Sequence, residues 1–421
     1  MLPMQKMARA GVLWLIVVLA AAPLRAQATE ATPAGTPNDV ARFLAGLQLT
    51  PESPLAPLAN DPAWKQHARL LDQAWARAEQ TRLSKIRAWS AAHLPQPKPT
   101  VLYMFSGPDY LYVDAFFPDR STYVLSGLEP IGQVPVITPT LRRSAGSALA
   151  GLRASVGTSL NYSFFITQQM KSSLAGNRLN GVLPVLYLFL ARSGKTIEQT
   201  ALVAVDKEGA LVAAGARDTT PGVKIVFTGH DGKTQTLYYF QTDLSDGGVK
   251  RSGFLKFCGQ QGVAEVFIKS ASYLLHSGGF VAVRTFLLDQ AAAVVQDDSG
   301  IPVHYFKSQD WQLKPFGRYL GPIPVFTGRY QPDLAAIYRK ANPPALDFGV
   351  GYRWRPHESN LLLAVKIPKI VAQEAPARQQ EAASQQQEAP SQQQETAGQL
   401  QEAPSQQPEA PSRQQEAASQ K

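Results

Sequence analysis

The sequence predicts an α+β fold, with a helix-rich N-terminal half packed on a mixed or antiparallel sheet. Two lobes dividing near residue 216 would suit the same pattern. Three observations predict this. Apolar residues recur at four-three spacing after Asn60 (Trp64, Ala68, Leu71, Trp75, Ala78), which is a helical stripe. From Gln199 onward, short apolar runs alternate with Asp-Gly-type turns, the mark of hairpins. The body between two non-globular ends has roughly 340 residues, ample for a core without disulfides.

The ends set that body apart. Residues 1–28 read as a secretory signal: Lys6 and Arg9, then the twelve-residue apolar run Gly11–Ala22, Pro23, and Ala26-Gln27-Ala28 in signal-peptidase spacing. The run is too short for a membrane anchor, which needs about 20 apolar residues, and no cysteine is near for lipidation. Residues 29–59 form a Pro-rich lead, and residues 60–372 the globular body. Residues 373–421 are seven heptads with a glutamate in each. A coiled coil needs two apolar positions per heptad. Here Leu400 is the one large apolar residue, and Pro376, Pro390, Pro404, Pro408 and Pro411 break helices, so the tail should be disordered.

Charge follows the same division. The chain carries +9; the tail contributes −4 and the signal +3, which leaves +10 on the body. A basic exported body favours an anionic envelope component. Nucleic acid is not expected as a partner, nor is a transmembrane segment once the signal is cleaved. The expected location is periplasmic or secreted.

Along the body, Asn38 reads as the cap of a short helix, 39–47. Asn60-Asp61-Pro62 opens a long helix to about His93, with a capping side chain and a first-turn proline. Its Arg77–Arg87 cluster reads as a solvated face and its tryptophans as core. Val101–Phe105 is a strand ending in Ser106-Gly107-Pro108-Asp109, and Tyr110–Phe117 is the helix that follows. Free N–H groups at that turn would make an anion site; a plain turn and helix cap is the simpler reading. Ser121–Ser126 is the next strand. Helices follow at Thr138–Val156 and Tyr162–Leu174, joined through Gly157, and Val182–Ala191 is a buried helix or strand.

Strands Ala201–Val205 and Ala210–Ala214, then Val223–Thr228 and Thr234–Thr242, form two hairpins around Asp206–Gly209 and His230–Lys233. Phe280–Gln290 is a helix. Ala291–Gln296 and Ile301–Phe306 read as paired strands, with Asp297-Asp298-Ser299-Gly300 as their turn. Gln331–Lys340 is the last helix, and Gly349–Trp354 and Leu361–Val365 are closing strands.

Motifs that name a reaction are missing. There is no H-E-x-x-H, no G-x-S-x-G and no Ser-x-x-Lys with its companions. Gly194-Lys195-Thr196 lacks the first glycine of a P-loop, since residue 189 is Phe. The six histidines have no metal-ligand spacing, and His276 and His304 read as core residues. Cys258 lies among Phe254, Leu255 and Phe257 and reads as core too. No cofactor or metal is expected. The candidate loop cluster is Ser106, Asp109, Asp297, Asp298 and Ser299. Adjacent carboxylates can raise one another's pKa or hold a cation.

Phe105-Ser-Gly-Pro-Asp-Tyr110, Ser121-Thr-Tyr-Val with Gly127-Leu-Glu-Pro130, Gln296-Asp-Asp-Ser-Gly-Ile-Pro302 and Asp347-Phe-Gly-Val-Gly-Tyr352 resemble a family of uncharacterised exported bacterial proteins. The likeness spans roughly residues 60–366. It implies one evolutionary unit in a bacterial envelope and brings no catalytic residues. The expected function is therefore binding of an envelope component or a small ligand. The alternative is a carboxylate-dependent hydrolase acting on an envelope or polysaccharide substrate, with Asp109 and Asp297 or Asp298 as acid and base at about 5–10 Å.

Overall fold

A computed structural model describes residues 35–137, 145–165 and 179–368. Residues 1–34 and 369–421, which include the expected signal and the heptad tail, and the segments 138–144 and 166–178 of the expected mid-chain helices lie outside the described residues.

The fold is α+β, built on one mixed ten-stranded sheet. The helices are α1 (Pro37–Leu44), α2 (Pro62–Ala78), α3 (Ser84–His93), α4 (Tyr110–Phe116), α5 (Ala145–Tyr162), α6 (Leu183–Arg192), α7 (Asp246–Arg251), α8 (Phe254–Gln260), α9 (Val281–Gln290) and α10 (Pro332–Ala341). The strands are β1 (Thr100–Tyr103), β2 (Thr122–Gly127), β3 (Thr196–Val205), β4 (Leu211–Ala213), β5 (Thr220–Thr228), β6 (Thr234–Gln241), β7 (Ala264–Ile268), β8 (Ala291–Gln296), β9 (Trp311–Gly317) and β10 (Asn360–Lys366). Their order across the sheet is β4-β3-β5-β6-β2-β1-β7-β8-β10-β9. The middle five, β6 to β8, run parallel. Antiparallel strands extend both sides. Strands on either side of residue 216 thus belong to the same sheet.

The pleat sorts side chains into two cores. Val101, Tyr103, Tyr123, Leu125, Tyr239 and Phe267 point to one face, under α1 to α6. Leu102, Met104, Val124, Phe240, Val266 and Ile268 point to the other, under α7 to α9. Cys258 is fully buried in this second core, which pushes its thiol pKa well up. Parallel strands covered on both faces need this near-continuous apolar run.

Several local readings change. Thr36, not Asn38, caps α1. Its hydroxyl accepts from Asp39 N while the Asp39 carboxylate accepts from Thr36 N, a capping box. Asn38 instead accepts from Ile197 N of β3. Asp61 caps α2 as expected. The long helix is broken by a π-helical turn, Glu79–Leu83, and Arg82 within it is buried, donating to Tyr112 Oη and to the Leu160 and Asn161 carbonyls. Helix α5 runs straight through Gly157.

Ile301–Phe306 is no strand, and β8 pairs with β7 and β10. The Gln296 side chain takes both backbone groups of Ile301, closing the loop before a ladder can form. Gly349–Trp354 contributes an isolated bridge, Val350 to Arg353. His304 is exposed, not core. Lys195 is buried at the C-terminal end of α6 and spent on Asp114 (3.2 Å) and Asp119 (3.4 Å), so it is no phosphate ligand. Among the described residues, no helix is long and apolar enough to cross a membrane.

At the amino ends of β2 and β7, Arg120 Nε donates to Glu265 Oε2 at 2.6 Å and Nη2 to Oε1 at 3.2 Å. Glu265 is wholly buried and Arg120 nearly so. A bidentate pair of this kind is costly to break from one side. Glu265→Ala is expected to lower unfolding free energy by about 3–5 kcal/mol in urea titrations; a loss under about 1 kcal/mol would mean that water reaches Arg120.

Candidate functional site

The chain leaves β1 through α4 on the first face, whereas it leaves the adjacent parallel strand β7 toward α9 on the second. The same divergence occurs between β2, which leads to α5, and its neighbour β6, which leads to α7. Connections that part to opposite faces leave a crevice at the carboxyl ends of the strands, where ligands of open parallel sheets bind. A cleft of about 260 Å³ lies there. It is walled from the β1 end by Tyr103, Phe105, Ser106 and Asp109, and from the β7 end by Lys269 and Ser270. Leu128 and Glu129 follow β2, Asp243 follows β6, and Phe164, Phe165, Phe280 and Tyr352 add aromatic surface.

At its base is a buried ion pair. Lys269 Nζ lies 2.6 Å from Asp109 Oδ2, and both side chains are 1% exposed. The ammonium also donates to the Ser163 carbonyl and sits 4.5 Å from the centroid of the Tyr112 ring. Asp109 Oδ2 accepts a second bond from Tyr103 Oη at 2.9 Å. Burial, with the Asp109 charge next to it, pushes the Tyr103 hydroxyl pKa well up, so it stays a donor. Asp109 Oδ1 is buried and has no hydrogen-bond partner among the described residues. A buried carboxylate oxygen left bare is expensive, and this one belongs to a cleft wall.

Ser106 has a different task. Its hydroxyl, with one proton to give, lies 2.8 Å from the Gly107 carbonyl and 3.2 Å from that of Ser126, and accepts from Ser126 N. The N–H groups of Ser106 and Gly107 both go to the Ser126 carbonyl. The Ser106 and Gly107 N–H groups are therefore not free for an anion.

Asp297, Asp298 and Ser299 follow β8, behind the β7 loop, and are buried. They are not a solvated hairpin tip. Asp297 Oδ2 accepts from Ser270 N (2.9 Å), and Oδ1 accepts from Ser299 N (2.9 Å) and Ser299 Oγ (2.5 Å). Ser299 Oγ accepts from Ala271 N (2.8 Å). Asp298 accepts from Tyr273 Oη (2.6 Å) and Asn360 Nδ2 (3.1 Å). These bonds, with those of Ser272 N and Oγ to Tyr352 Oη, hold Ser270, Ser272 and Tyr273 at φ +49, +50 and +53, left-handed values that non-glycine residues adopt only under constraint. The β8 acids thus shape the wall that carries Lys269 and Ser270, and the cleft itself is walled by Asp109 and not by them.

The sequence reading singled out Asp109 but missed Lys269. Its available signal was a lone lysine ending the fully apolar strand segment Val266-Phe267-Ile268. His276 is half-buried, which lowers its pKa to about 4. Its Nε2 has no partner among the described residues.

Burial, then the neighbouring Asp298 charge, raises the Asp297 pKa from 3.8 to about 6, and burial raises that of Asp298. Between these values the folded protein keeps a proton that the unfolded chain has lost. Stability should therefore fall as pH rises from about 4 to about 6 and then level off. Asp297→Asn should flatten that slope in denaturant midpoints measured across the window, and an unchanged slope would assign it elsewhere. Comparison with known protein families, with curated proteins and with solved structures found no match to this chain.

Proposed function

We propose that the chain is an exported binding protein that takes a small ligand into the cleft at the carboxyl ends of β1, β2, β6 and β7. Export rests on the signal-like residues 1–28. Binding rests above all on one observation, the bare, buried Asp109 Oδ1 in a cleft that also presents six aromatic side chains. Lys269 already balances the Asp109 charge, so Asp109 asks a hydrogen-bond donor of the ligand, and Glu129 and Asp243 add two further acids to the wall. Phe105, Phe164, Phe165, Phe280 and Tyr352 would cover its apolar part, and Ser270 Oγ, also without a partner among the described residues, offers a second polar contact. The volume of about 260 Å³ exceeds the roughly 150 Å³ that benzene fills. A ring bearing a hydroxyl or amide fits this description.

A carboxylate-dependent hydrolase gains less from the same geometry. The acceptor oxygens of Asp297 and Asp298 are committed to the β7 loop and to Asn360, so neither pairs with Asp109 in the cleft, where the other carboxylates are Glu129 and Asp243.

Ligand-observed NMR with phenol, benzyl alcohol and benzamide, against toluene as the donor-free control, tests the reading. The donor-bearing probes should bind in preference to toluene. A hydrogen bond to a charged group implies a margin of about tenfold to a hundredfold. Asp109→Asn should erase that margin. Because this change also leaves Lys269 unbalanced, Leu128→Trp serves as the second variant. Leu128 is 60% exposed on the cleft wall, so a larger ring there should block entry and spare the ion pair. Equal binding of toluene, or binding untouched by both variants, would sink the proposal.

A further inference from the structure

Away from the cleft, on the face covered by α7 and α8, a shallow groove of about 790 Å³ runs between these helices and the β3–β4 and β4–β5 connections. Its walls carry Lys207, Lys250, Arg251 and Lys256, against Asp218 as the one acid. Lys207 and Asp218 stand 3.9 Å apart, both largely exposed, so they neutralise each other weakly. Lys256 Nζ donates to the Lys207 carbonyl, which holds its charge at the groove without cancelling it. Lys250 and Arg251 are exposed and have no acidic partner among the described residues. Ser252 Oγ, in the same wall, is a buried hydroxyl with no hydrogen-bond partner among those residues.

Helix chemistry explains part of this. Lys250 and Arg251 close α7, where cations complement the carbonyl end of a helix. It does not explain why Lys207, from the turn after β3, and Lys256, from α8, converge on the same groove. Four cations gathered around one acid repel one another unless an anion joins them.

We infer that this groove binds a phosphate group, free or as part of an anionic phospholipid headgroup. Arg251 can present two parallel N–H donors to a tetrahedral oxyanion, the lysines add point charges, and Ser252 Oγ supplies a neutral donor. The +10 charge of the body draws such ligands to the surface in general; the groove gives them a place. This inference stands apart from the cleft and from whatever the cleft binds.

The test uses the full chain with vesicles of phosphatidylcholine alone and of equimolar phosphatidylcholine and phosphatidylglycerol, and separately with inorganic phosphate in calorimetry. The wild type is compared with Lys250→Ala/Arg251→Ala and, as a second variant in different elements, with Lys207→Ala/Lys256→Ala. All retain the apolar run Gly11–Ala22, so any insertion by that segment cancels in the comparison. If the source is lipid, the wild type should prefer the anionic vesicles, and losing two cations should weaken binding roughly thirtyfold. The preference should also fade with added salt. If the source is free phosphate, the calorimeter should show binding that both variants lose, with no vesicle preference. Binding of neither probe, or binding that both variants keep, overturns the inference.

Discussion

The candidate site depends on the contact between Lys269 and Asp109. Two opposite charges that are almost wholly buried cost several kcal/mol each to remove from water, and they persist only where geometry and further hydrogen bonds compensate them. Here the ammonium has a carboxylate, a carbonyl and an aromatic face, and the carboxylate has a tyrosine hydroxyl as well. The pair spans the gap between β1 and β7, where the connections part to opposite faces. It joins the two sides of the crevice while leaving one oxygen for whatever enters.

The sheet makes that contact possible. Its parallel centre is covered on both faces, so β1 and β7 present apolar side chains to two cores and release polar residues only at their ends. The antiparallel flanks carry the sheet outward to edges that discourage further pairing. Strand β4 has three residues, and β9 carries Lys314 and Pro315. Short, charged or proline-bearing edges are the usual protection against edge-to-edge association.

Much of the fold was legible because it is written locally. Asp61 followed by Pro62 marks a helix start wherever it sits, and the turns at 206–209 and 230–233 fix their hairpins without help from the rest of the chain. What escaped depends on distant partners. Ile301–Phe306 has a strand's composition, yet the side chain of Gln296 takes the backbone groups a neighbouring strand would have used. Asp297 and Asp298 look like a polar turn in isolation and are buried because β7, β10 and the 331 region close over them. Asp109 stood out beside a glycine turn. Lys269 did not, because nothing within its own strand reveals that a carboxylate from β1 awaits it.

The π-helical turn at Glu79–Leu83 has a consequence for how the chain tolerates change in length. One extra residue in that turn rotates everything after it by about 100° relative to an unbroken helix. That offset sends Trp75 against Phe189 and Trp89 against Phe116 and Phe316, so the two rings serve different parts of the core. A one-residue deletion there would restore regular helical bonding and look harmless to the helix, yet it would swing Ile86 and Trp89 away from their partners. The reading frame of the core is thus held by an irregularity that helix propensity alone would remove.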